Sequence, residues 1–353
     1  MPKPKVTVVE DDEVVWRLPH TEHEPDRVQL WSDFDLGDTA FHQVADGWEL
    51  RLPVKKLPPV NRLEYLFEVT QGDETATLLD PGNPLRVGGA FGDHSWLALG
   101  YQAPAWLDVQ PVPGERQPLV VPRTPAGPVD VEIWSPAGTD PDEPLPLLLS
   151  HDGPEMDKLG ELTRFVGAMM ALRQAEGTRG LPPIRVGLIA PGARDERYAA
   201  NPAYADALCE HVLPAVLEVA PSKKQPALMG QSLGAVAALH AEWTHPGSFA
   251  GLFLQSGSFF TPELDAHESG YAHWKPVTAF VAEVLEAKKA PSTPPVTVGF
   301  GSAEENAANN RQLAAKLAAL GCAVEVGEVR DGHTFTCWRD LLDPHLTDLL
   351  RRI

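Results

Sequence analysis

Cysteine is scarce in this chain: three residues, Cys209, Cys322 and Cys337, among 353. Three scattered thiols cannot build a disulfide framework, and their spacing matches no structural zinc motif. They fit free thiols in a reducing compartment. Basic residues are also few, 29 Lys and Arg against 49 Asp and Glu, for a formal net charge of −20. Such a surface repels phosphates, which argues against nucleic acid as a partner. Long apolar runs are missing. No stretch approaches the 18 residues of a membrane span, and "MPKPKVTVVEDDEVVWRLPH" at the N-terminus has no apolar core of a secretory signal. A cytoplasmic protein without membrane association is the expectation. No repeat with a period of 20–50 residues is visible.

What is present suffices for a large core. Hydrophobic residues make up 43% of the chain, and the length accommodates two domains. Up to about residue 105 the pattern is β. "RVQLWSDF" (27–34), "GWELRLPV" (47–54) and "LEYLFEVTQG" (63–72) alternate with period 2 and are separated by turn-formers. An antiparallel sandwich of about seven short strands is expected there, of immunoglobulin-like type. Residues 106–128 hold repeated X-Pro pairs that disfavour helix, and read as a linker. From 129 to 353 the pattern changes to short, nearly continuous apolar runs, such as "LPLLLSHDG" (145–153), "IRVGLIAPG" (184–192) and "FAGLFLQSG" (249–257). Runs of this kind suit strands buried on both faces of a parallel sheet. Helical segments near 159–176, 204–219, 233–245, 276–288 and 306–320 alternate with them. The pattern predicts a doubly wound α/β domain, in which ligands bind beyond the carboxyl ends of the strands.

One motif sits at such a strand end. Gly230-Gln231-Ser232-Leu233-Gly234 fits G-x-S-x-G, with "PALMG" as strand before it and "LGAVAALHAEWTH" as helix after it. Strand, sharp turn and helix form the setting of a nucleophile elbow. It makes Ser232 a candidate nucleophile, with the N–H of Leu233 as one oxyanion donor. A serine hydroxyl needs a base, and in α/β hydrolases the chain order is Ser, acid, His. Of the downstream histidines, His240 and His245 lie on the helix behind the serine. His267 and His273 lie in a polar insertion, and His345 in a C-terminal helical segment. His333, in "VEVGEVRDGHTFTCWRDLL", follows a strand and an Asp-Gly turn, and is the candidate base. The acid should follow the preceding strand, where "PVTVGFGSAEEN" offers Glu304 or Glu305; Asp331 is less well spaced. "LLLSHDGPEMDKL" supplies Gly153 as a second oxyanion donor, with His151 and Asp152 as candidates for lining the site. This chemistry requires no metal or cofactor.

With these residues in place, the α/β half resembles the putative esterase family that includes enterochelin (ferric enterobactin) esterase. The resemblance spans roughly 145–353 and rests on "LLLSHDG", "DERYAANPAYADALCEHVLPAV", "GQSLGAVAALHAEWTHPGSFAGLFLQSGSF", "GSAEENAANNRQLAAKL" and "VRDGHTFTCWRDLL". It implies an α/β-hydrolase fold with Ser232 as nucleophile, His333 as base and a Glu at or near 304 as acid. It suggests Arg197 as a substrate-contacting or structural residue, and Trp338, in "VRDGHTFTCWRDLL", as a candidate for substrate binding. "YLFEVTQGDETATLLDPGNPL" resembles the early-set domain preceding such hydrolases. Thr334 stands where the enterochelin type carries an acidic residue. The expected activity is hydrolysis of a small-molecule carboxylic ester through an acyl-enzyme, of siderophore-trilactone type. Carbohydrate acyl (acetyl or feruloyl) ester hydrolysis and acyl transfer are the alternatives, and a non-catalytic hydrolase-fold binding protein is an alternative of another class.

Overall fold

The computed structural model describes residues 7–20, 22–177 and 180–353. The chain divides into two compact units. One comprises Met1–Gln102 together with Ser302–Glu304 and Arg330–Thr334. The other comprises Ala103–Gly301, Glu305–Val329 and Phe335–Ile353.

The first unit is all β. Its strands are β1 (Val8–Glu10), β2 (Glu13–Pro19), β3 (Arg27–Trp31), β4 (His42–Val44), β5 (Gly47–Pro53), β6 (Arg62–Gln71), β7 (Glu74–Leu78), β8 (Arg86–Gly89) and β9 (Gly92–Ala98). They form two antiparallel sheets, one in the order β1-β2-β5-β4, the other β3-β6-β9-β8 with β7 also paired to β6. Period-2 alternation sends Val14, Trp16, Leu50 and Leu52 of the first sheet and Val28, Leu30, Leu63, Tyr65 and Phe67 of the second into one shared apolar cluster. Two sheets joined by a common core make a sandwich.

The second unit carries one mixed sheet of eight strands: β10 (Gly114–Val121), β11 (Val129–Pro136), β12 (Leu147–Ser150), β13 (Arg185–Ile189), β14 (Ala227–Gln231), β15 (Gly251–Gln255), β16 (Val296–Gly301) and β17 (Val324–Val329). The order is β10-β11-β13-β12-β14-β15-β16-β17, and every pairing from β13 to β17 is parallel. The helices are α1 (Gly153–Gly160), α2 (Leu162–Glu176), α3 (Arg194–Tyr198), α4 (Pro202–Asp206), α5 (Leu213–Val219), α6 (Leu233–Thr244), α7 (Trp274–Glu286), α8 (Ala307–Ala319), α9 (Phe335–Asp340) and α10 (Thr347–Arg352). A π-helical turn, Ala207–Val212, joins α4 to α5. Alternate residues of the central strands feed two apolar layers: Leu228 joins the layer under α5–α8, while Ala227 and Met229 join the layer under α2 and α10. This is why these strands read as unbroken apolar runs. Among the described residues no helix is long and apolar enough to cross a membrane.

The linker expected at 106–128 is corrected. The break between the units falls at Gln102–Ala103, and the proline-rich segment belongs to the second unit. Trp106 is buried in the α2 layer, and Gly114–Val121 pairs over its whole length with β11. The prolines misled because β10 is an edge strand, where a missing N–H such as that of Pro118 costs little. One helical expectation also shifts: the segment expected at 159–176 is two helices broken at Glu161, which has φ +55°.

Candidate active site

Chain order places β13 and β14 on opposite sides of β12. The sheet therefore reverses its winding at β12, and the carboxyl ends of β12 and β14 meet at the point where open α/β sheets bind ligands. The loop into α1 leaves one of those ends and Ser232 leaves the other.

Ser232 lies between the last residue of β14 and the first of α6. Its backbone is at φ +55°, ψ −122°, a region that non-glycine residues occupy only when their surroundings enforce it. The enforcement is visible. The Ser232 N–H donates to the Gln255 carbonyl (2.9 Å), and the Ser232 carbonyl accepts from Ala235 (3.1 Å) and Ser258 (3.2 Å). Gly230 permits the tight turn: a Cβ there would lie 2.2 Å from the Gly234 carbonyl oxygen. Gly234 is next to His151 and Asp152, with 3.2 Å from a built Cβ to the His151 Cβ. The half-buried Ser232 side chain meets the Ser258 hydroxyl at an Oγ–Oγ distance of 3.1 Å. The first turn of α6 then leaves the Leu233 N–H among the donors without an intrahelical partner.

Buried polar side chains brace the turn. Gln231 Nε2 donates to Gln255 Oε1 (2.9 Å), and Gln255 Nε2 to the Trp338 carbonyl (2.8 Å). Trp338 is itself buried, and its indole N–H donates to Ser256 Oγ (2.8 Å). Ser258 belongs to a loop held by Asn310, which accepts from the Gly257 N–H (2.9 Å) and donates to the Gly257 carbonyl (2.8 Å). Asn306 and Asn309 complete that buried cluster. Sequence reasoning passed over these three asparagines. The available signal was their spacing, i, i+3 and i+4 from the N-cap of α8 into its first turn, which turns polar side chains into the interior.

The loop after β12 has the same compactness. Asp152 adopts φ +45° just before α1, and a Cβ on Gly153 would strike the Leu188 backbone at 2.4 Å. Gly153 thus has a packing reason to be glycine, and its N–H lies in the open first turn of α1. His151 is fully buried against Tyr198 and Tyr204, and Nδ1 donates to the Gly234 carbonyl (3.0 Å). Burial pushes its pKa down to about 4, so it is a neutral brace. Asp152 is clamped by Arg194 through two bonds, Nε to Oδ1 (2.8 Å) and Nη2 to Oδ2 (2.7 Å). Arg194 also lies 3.4 Å from the Gln231 carbonyl and covers the Tyr198 ring. Arg197, the arginine singled out from the sequence, is instead buried and donates to the carbonyls of Pro191, Ala126 and Pro128. No pattern in "GARDERY" separates the two arginines; only their placement on α3 does.

His333 and Glu304 both belong to the first unit. Glu304 Oε2 lies 3.8 Å from His333 Nδ1, ion-pair range but longer than a hydrogen bond. The Glu304 side chain is wholly buried and that of His333 about one-fifth exposed. Glu305 is exposed. Of the two glutamates the structure puts Glu304 beside the imidazole. Asp331 is engaged elsewhere, with Arg62 and the Gly332 N–H.

One group of side chains among the described residues has metal-ligand spacing. Asp206, Glu210 and His245 each bring one ligand atom to within 4.8 Å of the others. These side chains are partly or fully exposed, and acidic surface clusters of this kind are common without an ion.

The family model described as "Putative esterase" matches residues 124–349. No curated protein matches the sequence. Among solved structures, the enterobactin esterase FES from Shigella flexneri, determined in the presence of enterobactin, aligns with a TM-score of 0.76 at 21% identity, over 98% of this chain and 95% of that one. The ferric enterobactin esterase from Salmonella typhimurium aligns with a TM-score of 0.72 at 20% identity, over 97% and 94%. A ferulic acid esterase aligns with a TM-score of 0.53 at 15% identity, over 70% of this chain and 100% of that one. At these identities the likeness speaks for the fold.

Proposed function

The chain belongs to the putative esterase family and is a carboxylic ester hydrolase, and from that premise we propose that it works through a serine nucleophile, Ser232, with His333 as base and Glu304 as the acid that orients it. The observation that carries this reading is the strained, glycine-flanked turn that fixes Ser232 ahead of the α6 N-terminus.

His333 takes the Ser232 proton as Oγ attacks the ester carbonyl. The carbonyl oxygen becomes an oxyanion, stabilised by the N–H groups of Leu233 and Gly153. Collapse of the tetrahedral intermediate expels the alcohol, which receives its proton from His333. Water, activated by the same imidazole, then attacks the acyl-enzyme and releases the carboxylic acid. The buried Glu304 carboxylate favours the imidazolium formed at each proton transfer, provided the 3.8 Å approach closes to a hydrogen bond with substrate bound. His151, Asp152 and Trp338 act one layer back, shaping the turns that carry the reacting groups.

The first unit we read as an immunoglobulin-like, early-set domain, and the substrate as an ester of siderophore type. The likeness to the enterobactin esterases runs over both units, whereas the ferulic acid esterase aligns over 70% of the chain. That second likeness, with the net charge of −20, favours an acyl-sugar or feruloyl ester as the other reading, since a ferric catecholate is anionic. Ser232→Ala should abolish turnover of p-nitrophenyl butyrate and labelling by a fluorophosphonate. Near-wild-type turnover by this variant would remove Ser232 from the mechanism. Rates on enterobactin, ferric enterobactin, acetylated sugars and feruloyl esters then separate the substrate classes.

A further inference from the structure

Arg62, the first residue of β6, is 2% exposed, and its guanidinium donates to the side chains of Glu64, Asp331 and Thr334. Nη1 donates to Glu64 Oε1 (2.8 Å). Nη2 donates to Asp331 Oδ2 (2.9 Å) and to Thr334 Oγ1 (3.0 Å). Two of the three acceptors therefore flank His333, one two residues before it and one directly after it. The rest of the loop is held by neighbours in the same unit. The Asn61 N–H donates to the Arg330 carbonyl (2.7 Å), Arg330 Nε to the Pro59 carbonyl (3.0 Å), and the Ala303 N–H to the Asp331 carbonyl (3.2 Å). The Phe34 ring packs directly on Gly332, where a Cβ would lie 2.6 Å from it. Behind Arg62, Glu64 Oε2 pairs with His94 Nδ1 (2.9 Å), and the Tyr101 ring lies under the guanidinium at 5.6 Å.

We infer that Arg62 is a positioning residue for the esterase reaction: its guanidinium clamps the Asp331–Thr334 loop on both sides of His333 and so sets where the imidazole sits relative to Glu304. The inference rests on the reading of His333 as the base. The clamp lies within one unit, since Arg62, Glu64, Glu304 and the Asp331–Thr334 loop all belong to the first. A planar, five-donor guanidinium suits the task, because one rigid group can bond Glu64, Asp331 and Thr334 together, which a lysine ammonium does with far less constraint. The ion pairs are almost fully dry, so removing the cation takes the counter-charge from buried Asp331 and leaves Glu64 with His94. That is a reason for the sequence to keep an arginine in a strand otherwise read as a hydrophobic alternation.

The test compares full-length wild type with Arg62→Gln, Arg62→Lys and Thr334→Val. The readouts are kcat, KM and the pH dependence of kcat/KM on p-nitrophenyl butyrate, with thermal unfolding measured alongside. Thr334→Val keeps the volume, deletes one acceptor and leaves the buried ion pairs intact, so it reports even if Arg62→Gln does not fold. The expected result is a fall in kcat of roughly 10- to 100-fold for Arg62→Gln with KM within about twofold, and a smaller fall for Thr334→Val. The acidic limb of the pH profile should move in both, and Arg62→Lys should recover part of the loss. A purely structural arginine would lower the unfolding temperature and leave the profile of the surviving enzyme unchanged. Folded variants with wild-type kcat and acidic limb overturn the inference. Full activity of His333→Ala overturns it differently, by removing the base whose position Arg62 is held to set.

Discussion

Replacing Gly230 by alanine puts a single methyl group where the nucleophile turn is tightest. The new Cβ would lie 2.2 Å from the Gly234 carbonyl oxygen, 2.3 Å from its carbonyl carbon and 2.9 Å from the Ala235 nitrogen. All three are backbone atoms of the first turn of α6, so no rotamer change relieves the clash. Ordinary contact begins near 3.4 Å, and the strand and helix must separate by about 1 Å. Overpacking of this kind costs about 1–3 kcal/mol, or roughly 2–4 °C in Tm per kcal/mol for a unit of this size. The catalytic effect should be larger, because a displacement of about 1 Å in a reacting group can cost about 100-fold in rate. Gly234→Ala is the control. Its Cβ would meet the His151 Cβ at 3.2 Å and Asp152 Oδ2 at 3.4 Å, contacts that ask the neighbours to give by only a few tenths of an ångström, against more than 1 Å at Gly230. Alanine also gains up to about 1 kcal/mol over glycine inside a helix. The assay is kcat on p-nitrophenyl butyrate, the second-order rate of fluorophosphonate labelling, and thermal unfolding of both variants. Gly230→Ala should lose about two orders of magnitude in both rates, and Gly234→Ala much less. Wild-type rates in Gly230→Ala, or a heavier loss in Gly234→Ala, would show that the closeness of β14 to α6 does not position Ser232.

Two further outcomes follow from the geometry around this turn. Ser258→Ala removes the hydroxyl 3.1 Å from Ser232 Oγ; a hydrogen bond of about 1 kcal/mol predicts a loss of about fivefold in the labelling rate, and an unchanged rate would make the contact incidental. His151 has its folded pKa pushed down to about 4 by burial, so the unfolded chain takes up its proton first as pH falls. Its contribution to stability is complete above about pH 6.5 and drains by about 1.4 kcal/mol per unit between there and about pH 4. Urea unfolding at pH 7 and pH 5 should show that slope reduced in His151→Gln, and an equal slope would locate the acid sensitivity elsewhere.

The α/β half was legible because its signals are local. Strands buried on both faces must be apolar throughout, so β12 to β16 announced themselves as short apolar runs. The turn at Ser232 was legible too, since small residues at 230 and 234 are what a close strand–helix approach demands. The proline-rich segment was misread because proline removes a donor, and at a sheet edge that donor is not needed. Arg194 and Arg197 differ by three positions in one short helix, and nothing in their neighbours says which one is spent on backbone carbonyls.

The sequence by itself determined the strand–turn–helix that carries Ser232, because it follows from residue types a few positions apart, and it placed the Glu304–Glu305 pair and then His333 after later strands as candidates. Tertiary structure alone decided that Glu304 rather than Glu305 lies beside the imidazole, that Ser258 meets the serine hydroxyl, and that Arg62 grips the loop of His333 from 269 residues away in the chain. The physical reason is the same in each case. Hydrogen bonds and buried ion pairs between distant segments depend on where the backbone brings them, and no local pattern records that.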